Sequence, residues 1–399
     1  MAQQEDLVAL GKKLLLGNYN QAPVVMTRGE GCALWDVSGR RYLDMTAGVA
    51  VCVVGHGDPG LAEAISAQAR QLVHASNLYY LETQLHLAEA LSRRAFKGRA
   101  FFCNSGTEAN EAALKIARRY QAVVRNRPDR VEIVSFENSF HGRTMGALSV
   151  TGQAKYRNGF GPMVEAVRFL QYGDANALRA AITDKTCAVI LEPIQAEGGI
   201  ILPPPGYLQE LRRLCTETGT VMILDEVQTG VGRTGTFYAF ENEGVVPDVV
   251  TLAKGLGGGV PIGAMLANEE IGRAFTPGTH ASTFGGNPLA TSAALYVQRA
   301  IDEHGLLERC RDVGSYLGSA LLRLAERRKP RTRGARGRGL LQGLVLEGEA
   351  APVVARAAER GLLISAAGGN VVRVAPPLIA TKAQVDEAIQ ILDAVLADS

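Results

Sequence analysis

Lys254 follows the apolar run "DVVTLA" and enters "GLGGGVPIGA", so a primary amine stands where a strand should end and a glycine-rich turn begins. An amine in apolar surroundings gives up part of its charged form and can condense with a carbonyl. The plain alternative is an exposed lysine ahead of a loop. Asp225 ends a second apolar run, "VMILD", which continues as Glu226-Val227-Gln228. A carboxylate closing a strand buried on both faces is costly unless it meets a cation, so a cationic partner is expected. On extended backbone Asp225 and Val227 point one way, Glu226 and Gln228 the other. Glu226 is left without an assigned partner.

Three further stretches carry candidate chemistry. In "CNSGTEANEAALKIARRY", Ser105 and Glu108 have the spacing of a capping box at a helix start, and Gly106 lets a ligand approach the backbone. Free N–H groups there, with the Ser105 and Thr107 hydroxyls, suit an anion such as phosphate, although many helices begin this way with nothing bound. In "SFHGRT", Phe140 offers a flat ring and Arg143 a carboxylate-binding fork, with simple packing an equal alternative. In "EPIQAEGG", Glu192 and Glu197 lie five residues apart after a strand, where solvated acids are the simpler reading. "GVGRTG", Gly230 to Gly235, has dinucleotide-loop spacing, but it neither closes a strand directly nor opens a periodic helix.

The elements that must position these residues are short apolar runs: "RAFFC", "VEIVSF", "TCAVILEP", "VMILDEV" and "DVVTLAK". Helical patterns lie between several of them. One places Ala109, Ala113, Ile116, Ala117 and Tyr120 on one face, and another is "GYLQELRRLCTETG" with Gly219 as its stop. Alternating strands and helices predict an α/β domain on a mainly parallel sheet, with ligands beyond the carboxyl ends of the strands. Residues 23–45 read as a meander with turns at Gly29–Gly31 and Ser38-Gly39. From about residue 290 the chain turns helical, then gives strands near "GLLQGLVLEG" and "NVVRVAPPL" and a final helix from about Lys382. The expected division is 1–54 and 290–399 forming one smaller α+β domain from both ends, and 55–289 forming the large domain.

Bulk properties narrow the function classes. The 399 residues are 47% hydrophobic and 21% charged, with a net charge of +2, which gives no general pull toward nucleic acid or anionic membrane. The basic stretch Arg327–Arg338 lacks interleaved aromatics and reads as a solvated loop. The six cysteines form no CxxC pair, so no metal is expected. "MAQQEDLVALGKKLLL" has acids ahead of its apolar part, unlike a signal peptide. The uncharged stretch 276–298 carries two prolines and two adjacent glycines, unlike a membrane helix. A cytoplasmic protein with reduced thiols is expected.

Taken jointly, "RGEGCALWDVSGRRYLD", "NSGTEANEAALKIAR", "SFHGRTMGALS", "EPIQAEGG", "LDEVQTGVGRTG", "LAKGLGGGVPIGAM", "HASTFGGNPLA" and "RGRGLLQGL" stand in the order found in one family. The chain resembles the class III, ornithine-type, pyridoxal-phosphate aminotransferases, and within them the bacterial acetylornithine aminotransferases. The resemblance implies the fold type I (aspartate-aminotransferase-like) architecture and pyridoxal 5′-phosphate as cofactor. It makes Lys254 the Schiff-base lysine and proton shuttle, and Asp225 the partner of the pyridine nitrogen. Gln228 goes to the ring 3-oxygen, Phe140 and Val227 to the two ring faces, and Ser105, Gly106 and Thr107 to the phosphate. Thr283 is the phosphate contact given by a second subunit, with Ser282 beside the substrate, so a homodimer with shared active sites is implied.

The same resemblance assigns Arg143, and Tyr19 near it, to the α-carboxylate of an ω-amino donor, and Arg373 to that of 2-oxoglutarate. Glu197 neutralises Arg373 during the donor half-reaction. Ornithine δ-aminotransferases usually carry a tyrosine seven residues before the "GH" histidine. That place is Val49 here, counted from His56, and an apolar residue suits an acylated α-nitrogen. The implied reaction moves the δ-amino group of N2-acetyl-L-ornithine to 2-oxoglutarate, giving glutamate by ping-pong kinetics, as in arginine biosynthesis. Succinylornithine and N-succinyl-diaminopimelate are alternative donors. A racemase, decarboxylase or aminomutase would leave Arg373 and Glu197 idle, and a non-enzymatic binder would not need Lys254.

Overall fold

The computed structural model describes residues 2–397; Met1, Asp398 and Ser399, the tips of the expected terminal segments, lie outside the described residues. All five expected strands form, as Gly98–Cys103, Glu132–Phe136, Thr186–Leu191, Val221–Asp225 and Val249–Leu252. Two further strands that the sequence reading passed over, Val167–Leu170 and Gly263–Asn268, complete a seven-stranded sheet. Its order is 98–103, 263–268, 249–252, 221–225, 186–191, 132–136, 167–170. Only Gly263–Asn268 is antiparallel to its neighbours, so the other six strands point their carboxyl ends to one edge.

The continuous apolar runs have a direct physical cause. Along Val221–Asp225, Met222 and Leu224 pack into one core cluster, while Val221 and Ile223 pack into another on the opposite side. Side chains alternate across a strand, so a strand covered on both faces must be apolar at every position. The helix Gly106–Arg119 covers one face with Ala113, Ile116 and Ala117. The helix Tyr207–Thr218 covers the other with Leu208, Leu211 and Leu214, and it stops at Gly219, whose φ of 66° suits a residue without a Cβ. Each buried leucine is worth roughly 2 kcal/mol of transfer free energy.

The ends of the chain build two four-stranded sheets. In the first, the meander Met26–Glu30, Ala33–Asp36 and Arg41–Asp44 is joined by Leu362–Leu363, which runs parallel to Leu43 and Asp44. The second holds Thr332–Arg338, Leu341–Leu346, Val371–Val374 and Ser365–Ala367, with the helices Leu306–Arg327 and Lys382–Ala397 packed nearby.

The basic stretch is a correction to the sequence reading. Arg327 and Arg328 lie in and just after the helix Leu306–Arg327, and Thr332–Arg338 is an edge strand, so the stretch is no solvated loop. Arg327 and Arg328 meet Asp393, Arg333 meets Glu347, Arg338 meets Glu243, and Arg336 donates to the Gly199 carbonyl. The arginines are distributed among separate acidic partners, and charge on an edge strand discourages pairing with another chain.

Candidate active site

At the carboxyl edge of the large sheet lies a cavity of about 380 Å³, lined among others by Thr107, Phe140, Asp225, Gln228 and Lys254. The chain reaches it at the ends of separate strands. Asn104 and Ser105 follow one, Phe140 lies four residues past the next, Glu192 follows the third, Asp225 ends the fourth and Lys254 lies just past the fifth.

Asp225 is buried and held by three donors. Its Oδ2 accepts from Asn110 Nδ2 at 2.7 Å and lies 2.8 Å from His141 Nδ1, while Oδ1 accepts the Val227 N–H at 3.0 Å. Asn110 also donates to the His141 carbonyl at 2.7 Å and accepts the Thr251 hydroxyl at 2.8 Å. Neither Asn110 nor His141 was assigned a role from sequence. Asn110 sits four residues past Gly106, the first residue of the helix, and so one turn in on the same face, which was the available signal.

The strand ends at Asp225 and the chain turns at Val227. Strand alternation therefore stops there, and Gln228 joins Asp225 and Val227 at the cavity, not Glu226 on the far side. This corrects the expected orientation of Gln228. Glu226 points into the interior and accepts the N–H groups of Ala239 and Phe240 at 2.6 and 2.8 Å, at the start of the 3-10 helix Ala239–Glu243. Burial pushes its carboxyl up to about 8, against the pull of those two donors. Glu226 thus has its partner in the backbone.

Gln228 connects the cavity to a buried ion pair. Its Nε2 donates to Glu197 at 3.1 Å and its Oε1 accepts from Arg373 at 2.9 Å, while Arg373 Nη1 reaches Glu197 at 2.5 Å. Burial alone would raise the Glu197 carboxyl, but Arg373 and Lys254 outweigh it and hold the group below the usual range. Lys254 itself is enclosed. Burial pushes its ammonium below the ordinary lysine range, Glu197 and Asp225 pull the other way, and Arg373 adds to the depression. The lysine's own backbone is left-handed, with φ of 43°. Glu192 caps the loop from the other side, accepting the Phe140 N–H at 3.1 Å; burial and then Asp225 push its carboxyl well up.

The expected cap forms at the start of the helix Gly106–Arg119, where an anion cradle was expected. Ser105 is its N-cap and accepts the Glu108 N–H at 3.3 Å, while the Glu108 carboxylate takes the Ser105 hydroxyl at 2.9 Å and the Asn104 N–H at 2.8 Å. The N–H groups of Gly106 and Thr107 belong to the first turn and have no intrahelical acceptor. A Cβ on Gly106 would stand 2.7 Å from Val227, so only glycine leaves the cradle open. Thr107 Oγ1 lies 2.8 Å from Thr144 Oγ1 and accepts the Arg143 N–H at 3.2 Å, tying the cradle to the "FHGRT" loop. Phe140 and Val227 both line the cavity.

Other expected residues sit elsewhere in the single chain. Thr283 is exposed, and the Ser282 hydroxyl is engaged with the Gly285 N–H at 3.0 Å and Asn104 at 3.4 Å. Tyr19 is 74% exposed and does not line the cavity. Val49 is exposed on left-handed backbone with φ of 68°; Val51 is the residue of that segment that lines the cavity.

The donor set suits a flat, anionic heterocycle. The cavity offers unpaired helix N–H groups at one end, a buried carboxylate at the other, an aromatic and an aliphatic wall, and an enclosed amine. His141 Nε2, buried and without a hydrogen-bond partner among the described residues, leaves polar capacity unspent here.

The family model described as aminotransferase class-III matches residues 16–396. The acetylornithine aminotransferase of Gloeobacter violaceus is 50% identical over 384 residues, covering 96% of each chain. Among solved structures, the ornithine aminotransferase of Toxoplasma gondii superposes with a TM-score of 0.95 at 32% identity, covering 99% of this chain and 95% of that one. The acetylornithine aminotransferase of Elizabethkingia anophelis superposes at 0.90 with 32% identity and 99% of both chains covered.

Proposed function

The chain belongs to the class III aminotransferases, and from that membership we propose that it transfers the δ-amino group of N2-acetyl-L-ornithine to 2-oxoglutarate, forming glutamate. It is a pyridoxal-phosphate-dependent transaminase of the aspartate-aminotransferase-like α/β fold. When bound, pyridoxal 5′-phosphate supplies a carbonyl carbon that condenses with amines and a ring that takes up the electrons released at the amine-bearing carbon.

The residues of this chain do the rest. The N–H groups of Gly106 and Thr107, with the Ser105 and Thr107 hydroxyls, would hold the phosphate. Phe140 and Val227 would flank the ring, Gln228 would bond its 3-oxygen, and Asp225 would offer its carboxylate to the ring nitrogen. Lys254 Nζ, depressed by burial, gives up its proton at lower pH than a free lysine and then serves as nucleophile and as carrier of the proton taken from the donor's terminal carbon. Arg143 binds the donor's α-carboxylate at the far end of the cavity. Arg373 binds the α-carboxylate of 2-oxoglutarate once Glu197 has moved off it.

The observation that carries this reading is the Arg373–Glu197–Gln228 cluster beside Lys254. A site that must accept an amine-bearing end with no carboxylate in one half-reaction and a carboxylate in the other needs a cation that can be cancelled and exposed. The acyl group is taken from the similarity to proteins named acetylornithine aminotransferase. Steady-state kcat/KM for acetylornithine, succinylornithine and ornithine, each with 2-oxoglutarate, tests it. Acetylornithine should be best, and a preference for ornithine would overturn the donor assignment.

We further propose a homodimer working in the cytoplasm. Exposed Leu78, Tyr79 and Tyr80 adjoin the exposed Phe284 and Thr283, because Asn77 bonds the carbonyls of Ser282 and Gly285. An apolar patch of this kind suits a protein-contact surface, and the exposed Thr283 beside it is the residue available to a second copy's cavity. Six free thiols fit a reducing compartment. A monomeric mass for the active enzyme in solution would refute the shared site.

A further inference from the structure

Tyr156 lies in the short helix Ala154–Arg157 and does not line the cavity, yet its ring touches both Phe140 and Arg143 of the "FHGRT" loop. The Arg143 guanidinium carbon stands 4.0 Å from the centroid of the Tyr156 ring, closer than its 5.4 Å to Phe140. Phe140 meets the same Tyr156 ring in a T-shaped contact, with centroids 5.7 Å apart and planes at 85°. The Lys155 amine lies 4.8 Å from that centroid. Among the described residues no carboxylate pairs with Arg143. Its backbone N–H is the group that hydrogen-bonds, to Thr107 Oγ1 at 3.2 Å.

We infer that Tyr156 is a positioning residue for the amine donor, a platform that stacks the Arg143 guanidinium so that its N–H fork stays free for the donor's carboxylate. An exposed arginine without a partner samples many rotamers, and each must be given up when a ligand binds. An ion pair would order it but would occupy the fork. Stacking on a ring orders it through its face and leaves every in-plane N–H available for a bidentate carboxylate. The edge contact with Phe140 ties the platform to the cavity wall, so the carboxylate end and the reacting end are held in one frame. Lys155 over the same ring adds positive charge at the donor's carboxylate end. The hydroxyl of Tyr156 takes no part; the ring face does the positioning.

This rests on the reading of Arg143 as the donor's carboxylate site, and the test separates the two. N2-acetyl-L-norvaline has the donor's carboxylate and acetyl group but no δ-amine, so it binds without reacting. Its Kd is measured by calorimetry on the holoenzyme for wild type, Tyr156→Leu, Tyr156→Phe and Arg143→Gln, together with KM for acetylornithine and for 2-oxoglutarate. Tyr156→Leu should raise the analogue's Kd and the acetylornithine KM about fivefold, the worth of a partly exposed cation–ring contact. Tyr156→Phe should stay within twofold of wild type, and KM for 2-oxoglutarate should not move in either variant. The inference fails if Tyr156→Leu binds the analogue like wild type, if Tyr156→Phe loses as much as Tyr156→Leu, or if both substrates weaken in parallel. If Arg143→Gln leaves analogue binding unchanged, the carboxylate reading of Arg143 is itself overturned.

Discussion

Replacing Asn110 with alanine should loosen the cofactor by freeing Asp225 from one of its hydrogen bonds. Asn110 Nδ2 gives Asp225 Oδ2 a 2.7 Å hydrogen bond, in a site where Asp225 is 3% exposed. A hydrogen bond to a charged group is worth about 1.5–3 kcal/mol, so taking about 2 kcal/mol as the loss of Asp225 orientation predicts a roughly thirtyfold rise in the Kd for pyridoxal phosphate. Thr251→Val removes only the bond into Asn110 Oδ1 at 2.8 Å, one link further out. It should cost about 1 kcal/mol, or roughly fivefold. Because the threonine acts through the asparagine, Asn110→Ala/Thr251→Val should bind no more weakly than Asn110→Ala, a coupling of about 1 kcal/mol. Equilibrium dialysis of the apoprotein against pyridoxal phosphate gives all four constants, with circular dichroism to confirm folding. A Kd for Asn110→Ala within threefold of wild type, or strict additivity of the two substitutions, would refute the chain of contacts from Thr251 to Asp225.

Lys254→Ala should abolish glutamate formation from every amine donor while the circular dichroism spectrum and mass in solution stay as in wild type; residual turnover above background would remove Lys254 from its role. Gly106→Ala should weaken cofactor binding at least tenfold by driving a Cβ into Val227, and Val227→Ala should restore much of it in the double variant, as seen by the same dialysis. His56 lies 2.6 Å from Asp44 and faces Cys52, and Asp44 first, then Cys52, push its imidazole up to about 9. A raised base stabilises the fold fully below its ordinary value near 6.5 and loses that contribution as pH rises through about 9. Urea midpoints at pH 6 and pH 10 should therefore fall more steeply in wild type than in His56→Gln, and equal slopes would show the pair to be neutral. Glu226→Ala should lower stability by about 3 kcal/mol by leaving two buried backbone N–H groups unpaired. Urea denaturation measures it.

Much of the fold was legible because its signals are local. Each fully buried strand must be apolar at every position, so "TCAVIL" and "VMILD" announce themselves. The capping box at Ser105 and Glu108 spans three residues and forms as its spacing requires. Val167–Leu170 was harder, since an edge strand buries fewer positions, and its half-exposed "VRFL" lacks a continuous apolar run. Gly263–Asn268 follows directly on the glycine-rich turn, and its "GAMLAN" composition does not distinguish strand from helix. The arginines from 327 to 338 looked alike as a cluster of charge, and only their distribution among Asp393, Glu347 and Glu243 shows that they staple an edge strand and its neighbouring helices.

By itself the sequence determined five of the seven strands of the large sheet, the capped helix that starts after Ser105, and the residues standing at the strand ends: Asp225, Lys254 and the Ser105–Thr107 loop. Those follow from periodicity, capping and turn chemistry within a few residues. Only the tertiary structure decided which of them meet. Asn110 reaches Asp225 across 115 residues and Glu197 reaches Arg373 across 176, distances in sequence that carry no period. The order of strands in the sheet closes those gaps, and it also ends the strand at Asp225, so that Gln228 turns to the cavity while Glu226 turns to the backbone of Ala239 and Phe240.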